Sequence, residues 1–151
     1  MMMQTSRPLN FKSNKQGAIC FLEYKGDFLL MKRSMRSHQG GSWTAAPGGK
    51  LEDGESPLNC AVREIREETG IEILPKKIVF IHSVYYQFDD IEYTLHLFYS
   101  RLDQLPEVTL AENEHTEFRW APLKSALELP LMRGGHECIN LVQKWLLSKT
   151  N

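Results

Sequence analysis

The sequence predicts an α/β fold, with α+β as the neighbouring class, and three observations predict it. The chain has 151 residues, the length of one domain and enough to bury a core without disulfides or a structural metal. Short β-rich apolar runs interleave with segments of helical period. One segment carries both helix punctuation marks, Ser56-Pro57 at its start and Gly70 at its end. Residues 16–151 are expected to form the domain, and residues 1–15 a flexible lead-in.

The elements follow in order. Ala18-Ile19-Cys20-Phe21-Leu22 reads as a buried strand, Lys25-Gly26-Asp27 as a turn, and Phe28-Leu29-Leu30-Met31 as the partner strand. Arg33 to Ser42 is polar, contains Gly40-Gly41, and reads as a loop. Trp43 to Ala46 is a short strand, which Pro47-Gly48-Gly49 then breaks. Ser56 suits an N-cap and Pro57 the first helical position. Leu58, Ala61, Val62 and Ile65 make one apolar stripe, and Gly70 sits where a left-handed cap belongs. Ile78–Gln87 and Ile91–Leu102 read as strands joined at Phe88-Asp89-Asp90. An acidic loop, Glu107 to His115, precedes a strand at Thr116–Trp120 and a short helical stretch after Pro122. Gly134 to Ser148 is a closing helix with Ile139, Val142, Leu146 and Leu147 on its apolar side.

Composition excludes several function classes. Net charge is −1, from 18 basic and 19 acidic residues, too weak a field for a stable nucleic-acid complex held by clustered Lys and Arg. A substrate of a few phosphates remains open, since a metal can neutralise it. No apolar run reaches the roughly 20 residues that span a bilayer. The N-terminal segment lacks the apolar centre of a secretory signal. Three widely spaced cysteines, Cys20, Cys60 and Cys138, point to neither a disulfide framework nor a zinc site. The expectation is a reducing, cytoplasmic setting.

The chemistry centres on the first helix. At about 100° per residue, Glu64, Glu67 and Glu68 share one face beside the apolar stripe. Such like-charge pairs cost roughly 0.2–0.5 kcal/mol each, and Arg63 relieves some of that through its i, i+4 relation to Glu67. A solvated charged face is the plain alternative. The sharper reading is a hard-metal site, because Mg²⁺ takes carboxylates, water and substrate phosphate. Gly48-Gly49 would let a backbone carbonyl approach such an ion, and Glu55 would fold back onto Arg63 or a metal water.

The string Gly49-x5-Glu55-x7-Arg63-Glu64-Ile65-x-Glu67-Glu68-x-Gly70-Ile71 resembles the complete signature of the Nudix hydrolases. Such a match arises by chance on the order of once in 10⁸–10⁹ starting points, given average residue usage. The signature covers 23 of 151 residues, and Trp43-x3-Pro47-Gly48-Gly49 and Glu114-x5-Trp120 extend the similarity outward. The resemblance implies an α/β/α sandwich with a mixed β-sheet and a loop–helix–loop catalytic motif. It implies Mg²⁺- or Mn²⁺-dependent cleavage of a diphosphate linkage in a nucleoside diphosphate joined to another group. It makes Glu64, Glu67 and Glu68 metal ligands with the Gly48 carbonyl, and makes Arg63 and Glu55 supporting catalytic residues. The general base is Glu64 or Glu114, since family members use either a motif glutamate or one on a later loop.

Outside the motif, Arg33 and Lys50 are the better phosphate-contact candidates among Lys32, Arg33, Arg36 and Lys50. Trp43, Tyr85, Tyr86 and Trp120 are candidates to stack on a base, with Trp43 preferred, although a buried core role is the commoner one for such aromatics. His115 reads as a bystander. The marks of the NADH, ADP-ribose, coenzyme A and dinucleotide branches are absent or incomplete. A MutT-like nucleoside triphosphate pyrophosphohydrolase therefore leads. A nucleotide-sugar, ADP-ribose, dinucleotide or coenzyme A diphosphatase follows, and then a non-catalytic nucleotide-binding module. The expected partner is a small nucleotide, with no membrane involved.

Overall fold

In the computed structural model, residues 2–88 and 91–149 are described. Strands β1 (Met2–Gln4), β2 (Gln16–Tyr24), β3 (Asp27–Arg33), β4 (Trp43–Thr44), β5 (Gly48–Lys50), β6 (Val79–Gln87), β7 (Glu92–Arg101) and β8 (His115–Pro122) form one sheet. The order β1-β6-β7-β2-β3-β4 makes its spine, with β5 paired to β2 and β8 to β3. Only β2 and β7 run parallel among these pairs, so the sheet is mixed. Helices α1 (Pro57–Thr69), α2 (Leu123–Ala126) and α3 (Gly135–Lys149) complete the fold, with a 3₁₀ turn at Pro75–Lys77.

Strand alternation sends side chains to two cores. Ala18, Cys20 and Leu22 of β2 and Leu29 and Met31 of β3 pack with Ala61 and Ile65 of α1. Phe21, Phe28 and Leu30 point the other way and pack with Ile139 and Val142 of α3. One helix on each face of a mixed sheet is the α/β/α sandwich that the resemblance implied.

Helix α1 starts and stops where its punctuation predicts. Ser56 accepts the Asn59 N–H, Pro57 opens the helix, and Gly70 adopts φ 75°.

Three details depart from the sequence reading. Residues 1–15 are not simply a flexible lead-in, because Met2–Gln4 pairs with Tyr85–Gln87. Phe11 is also buried, edge-on to Tyr85 at 5.4 Å. A three-residue edge strand is too short to show a period. Gly48-Gly49, expected as a break, forms β5 against Ala18 and Ile19. Leu147 is exposed, and Trp145 packs on Tyr99 instead. The tip expected at Asp89-Asp90 lies outside the described residues.

Candidate active site

Helix α1 meets strand β5 through carboxylates. The Arg63 guanidinium closes bidentately on Glu55, Nε to Oε2 at 2.8 Å and Nη2 to Oε1 at 2.9 Å. Its Nη1 donates to Glu64 at 2.8 Å and to Glu67 at 3.1 Å, and Nη2 also reaches the Lys50 carbonyl at 3.1 Å. A planar fork of fixed donors can hold three carboxylates in one arrangement, and an ammonium cannot. The Arg63 hydrogen bond holds the Glu55 carboxyl down at about 2. Glu64 behaves oppositely, because burial raises it despite Arg63.

Glu68 turns inward and is buried. Its Oε1 accepts the Gly48 N–H at 2.8 Å. Burial pushes its carboxyl up to about 9, and the charges of Glu64 and Glu114 push the same way. A carboxyl so placed is an ionised ligand only when a cation joins it. Glu114 stands at the end of the acidic loop, and one ligand atom each of Glu68, Glu114 and His115 lies within 4.8 Å of the others. Both His115 ring nitrogens are buried without a hydrogen-bond partner. An orphaned imidazole beside carboxylates that disfavour each other fits a divalent cation.

A cleft of about 460 Å³ is bordered by Arg33, Lys50, Arg63, Glu64, Glu68 and Glu114. It adjoins a larger cavity of about 790 Å³, and Arg33, Gly48, Gly49, Lys50 and Glu68 belong to both walls. The structure thus gathers Arg33, Lys50, Arg63, Glu64, Glu68, Glu114, Gly48 and Glu55 around one connected space. Glu67 lines neither space; half-exposed, it is tied to the group through Arg63 Nη1.

A model of the NUDIX domain matches residues 14–141. The chain belongs to the Nudix family. An 8-oxo-dGTP diphosphatase of Proteus vulgaris is 36% identical over 101 residues, covering 67% of this chain and 79% of the relative. A CTP pyrophosphohydrolase of Escherichia coli (strain K12) is 34% identical over 112 residues, covering 73% and 77%. The Nudix domain of Shewanella oneidensis NrtR, solved with ADP ribose, superposes with a TM-score of 0.74 at 19% identity. It covers 93% of this chain and 94% of its own, a likeness of fold. The chain is a Nudix hydrolase acting on phosphorus anhydrides. Nudix hydrolases need a divalent metal, and the Glu/His group described above can hold one.

Within the Nudix frame the remaining candidates separate. Trp43 is buried in the α3-side core with Arg119 over its ring at 4.6 Å, yet it lines the larger cavity. Tyr86 lines the same cavity, stacked on Tyr93 at 4.9 Å, with its hydroxyl bonded to Cys138 Sγ at 2.7 Å. Tyr85 packs on Phe11, and Trp120 packs in the α1-side core. Neither lines the cavity. Lys32 and Arg36 border neither space. Sequence reasoning missed His115, Phe88, Tyr93 and Arg133 as neighbours of the site. No local pattern marks these four; chain topology assembles them. Among the described residues, no helix is long and apolar enough to cross a membrane.

Proposed function

We propose that this Nudix hydrolase cleaves nucleoside triphosphates to the monophosphate and pyrophosphate, with Mg²⁺ or Mn²⁺ in the carboxylate cleft. The observation that carries the reading is the shared wall between cleft and cavity. A base and sugar in the larger cavity, against Tyr86, Tyr93 and the wall at Trp43, leave the phosphates over Glu64 and Glu68. Arg33 and Lys50, on both walls, then meet the phosphate oxygens. The named relatives act on nucleotides of this class, and their chemistry is carried here as part of the proposal.

Glu64, Glu67, Glu68 and Glu114, with the Gly48 carbonyl, are the groups proposed to hold the ions. When bound, divalent ions neutralise phosphate charge and acidify water. The chain's own residues do the positioning. Arg63, anchored by Glu55, holds the Glu64 carboxylate at one place on the cleft wall. Fixed in this way, Glu64 is the general base we favour, taking a proton from the attacking water. Water adds to phosphorus, the bridging P–O bond breaks, and the pyrophosphate and monophosphate share the charge released. Glu114 belongs with Glu68 at the ion-holding group.

The test is a panel of nucleoside triphosphates, nucleotide sugars, ADP-ribose and dinucleotides with Mg²⁺ or Mn²⁺, products resolved by chromatography. Triphosphates are expected to be consumed fastest, with loss of all turnover in excess chelator. Preference for a sugar nucleotide or dinucleotide would overturn the substrate assignment. Full activity in chelator would overturn the metal.

A further inference from the structure

His115 is 1% exposed, yet neither ring nitrogen has a partner. A neutral imidazole carries one donor and one acceptor. Buried polar atoms without partners are rare enough that each needs a cause, an ion or a water among them. The local backbone shows how the ring is placed. His115 pairs with Arg33 at the step where the β3–β8 ladder slips, leaving Thr116 without an opposite residue. Irregularities of this kind re-aim side chains beside active sites. The His115 N–H bonds to the Ala111 carbonyl at 2.9 Å, and the Ser34 N–H bonds to the Glu114 carbonyl at 2.8 Å. Both residues are therefore held by backbone from the loop and from the strand end.

We propose that His115 is a nitrogen ligand to a divalent ion shared with Glu68 and Glu114, giving this site a preference for Mn²⁺ or Co²⁺ over Mg²⁺. The inference rests on the reading that the cleft holds divalent ions, and adds a ligand and a selectivity to it. The three ligand atoms lie within 4.8 Å of one another. Three ligands at 2.0–2.2 Å from one tetrahedral ion stand about 3.3–3.6 Å apart. Side-chain movements of about 1 Å, shared among the three, therefore close the set. Mg²⁺ takes oxygen ligands and gives up water reluctantly, whereas divalent first-row transition ions bind an imidazole nitrogen beside carboxylates, Mn²⁺ the most weakly of the series. An imidazole in this set is therefore a ligand that Mn²⁺ and Co²⁺ use and Mg²⁺ does not.

The experiment uses the full chain without substrate. Pulsed EPR of the Mn²⁺-loaded wild type is expected to show ¹⁴N coupling from a directly bound imidazole. The coupling should survive His38→Gln, the exposed histidine on the same cavity, and vanish in His115→Gln. Calorimetric titration should show Mn²⁺ and Co²⁺ bound about 10-fold or more weaker in His115→Gln, and Mg²⁺ changed by less than about 3-fold. Mn²⁺ bound without ¹⁴N coupling would overturn the inference and leave the divalent site standing. No binding of any divalent ion would overturn both. If His115→Gln does not fold, the wild-type ¹⁴N spectrum still decides.

Discussion

Gly49→Ala is the perturbation that separates the position of Glu64 from the stability of the fold. A β-carbon at residue 49 would lie 2.6 Å from both Cδ and Oε1 of Glu64. Ordinary contact begins near 3.5 Å, so the carboxylate must retreat by about 0.9 Å. It is the far end of a flexible side chain, so the fold can absorb the move. The site cannot, because the retreat draws Glu64 from Arg63 Nη1, which holds it at 2.8 Å. A misplacement of about 1 Å costs on the order of 10²-fold in rate. Steady-state pyrophosphate release should therefore show kcat down about 10²-fold, while the melting temperature moves by no more than about 4 °C, the shift for roughly 1 kcal/mol. Gly48→Ala is the contrast. Its β-carbon would strike the Ala18 carbonyl and the Ile19 backbone, which cannot step aside, so its melting temperature should fall well beyond that of Gly49→Ala. Wild-type kcat in a folded Gly49→Ala would refute the reasoning.

Arg63→Lys keeps the charge and loses the fork that spans Glu55, Glu64 and Glu67. Its kcat should fall sharply with little change in KM, and a raised KM at unchanged kcat would mean that Arg63 binds substrate instead. Glu114→Gln, which removes one charge from the ion-holding group, should cut turnover about 10²-fold or more, with Glu112→Gln as a near-neutral control; equal small effects would remove Glu114 from the site. Glu55 titrates lower when folded, at about 2 against an ordinary 4.5, so its ionised form stabilises the fold. That contribution is complete above about pH 4.5 and is lost as pH falls toward 2. In thermal melts the advantage of wild type over Glu55→Gln should be constant from pH 7 to 5 and shrink below it. A gap that widens on acidification would contradict the sign.

Helix α1 is legible in the sequence because its information is local. Ser56, Pro57 and Gly70 fix where α1 begins and ends, and helical period alone puts Glu64, Glu67 and Glu68 on one face. Period does not say which of them turns inward. Burial of Glu68 depends on β5 supplying the Gly48 N–H, a contact across 20 residues. Gly48-Gly49 reads as a break in the sequence for a related reason. Glycine serves there because β5 runs close against β2 on one side and against Glu64 on the other, and only the assembled sheet shows both neighbours. His115 reads as a bystander in the sequence because one histidine after an acidic loop carries no period. Its place is set by the slipped β3–β8 ladder. The larger cavity draws on residues from Asn14 to Ile139, so no window of sequence contains it. Helical period points Leu147 inward, and the aromatic contact of Trp145 with Tyr99 shows which face docks.

In the proposed reaction a metal held by the α1 carboxylates, Glu68 foremost, drives hydrolysis of a nucleoside triphosphate. The most direct measurement is pyrophosphate release by wild type and Glu68→Gln side by side at saturating Mg²⁺, with folding checked by circular dichroism. Glutamine keeps the shape and an oxygen for the Gly48 N–H but never becomes anionic. The account predicts measurable wild-type turnover that chelator abolishes, and a folded Glu68→Gln slower by about 10²-fold or more, the scale of losing one positioned charge at a reacting centre. A folded Glu68→Gln that turns over at the wild-type rate would contradict it.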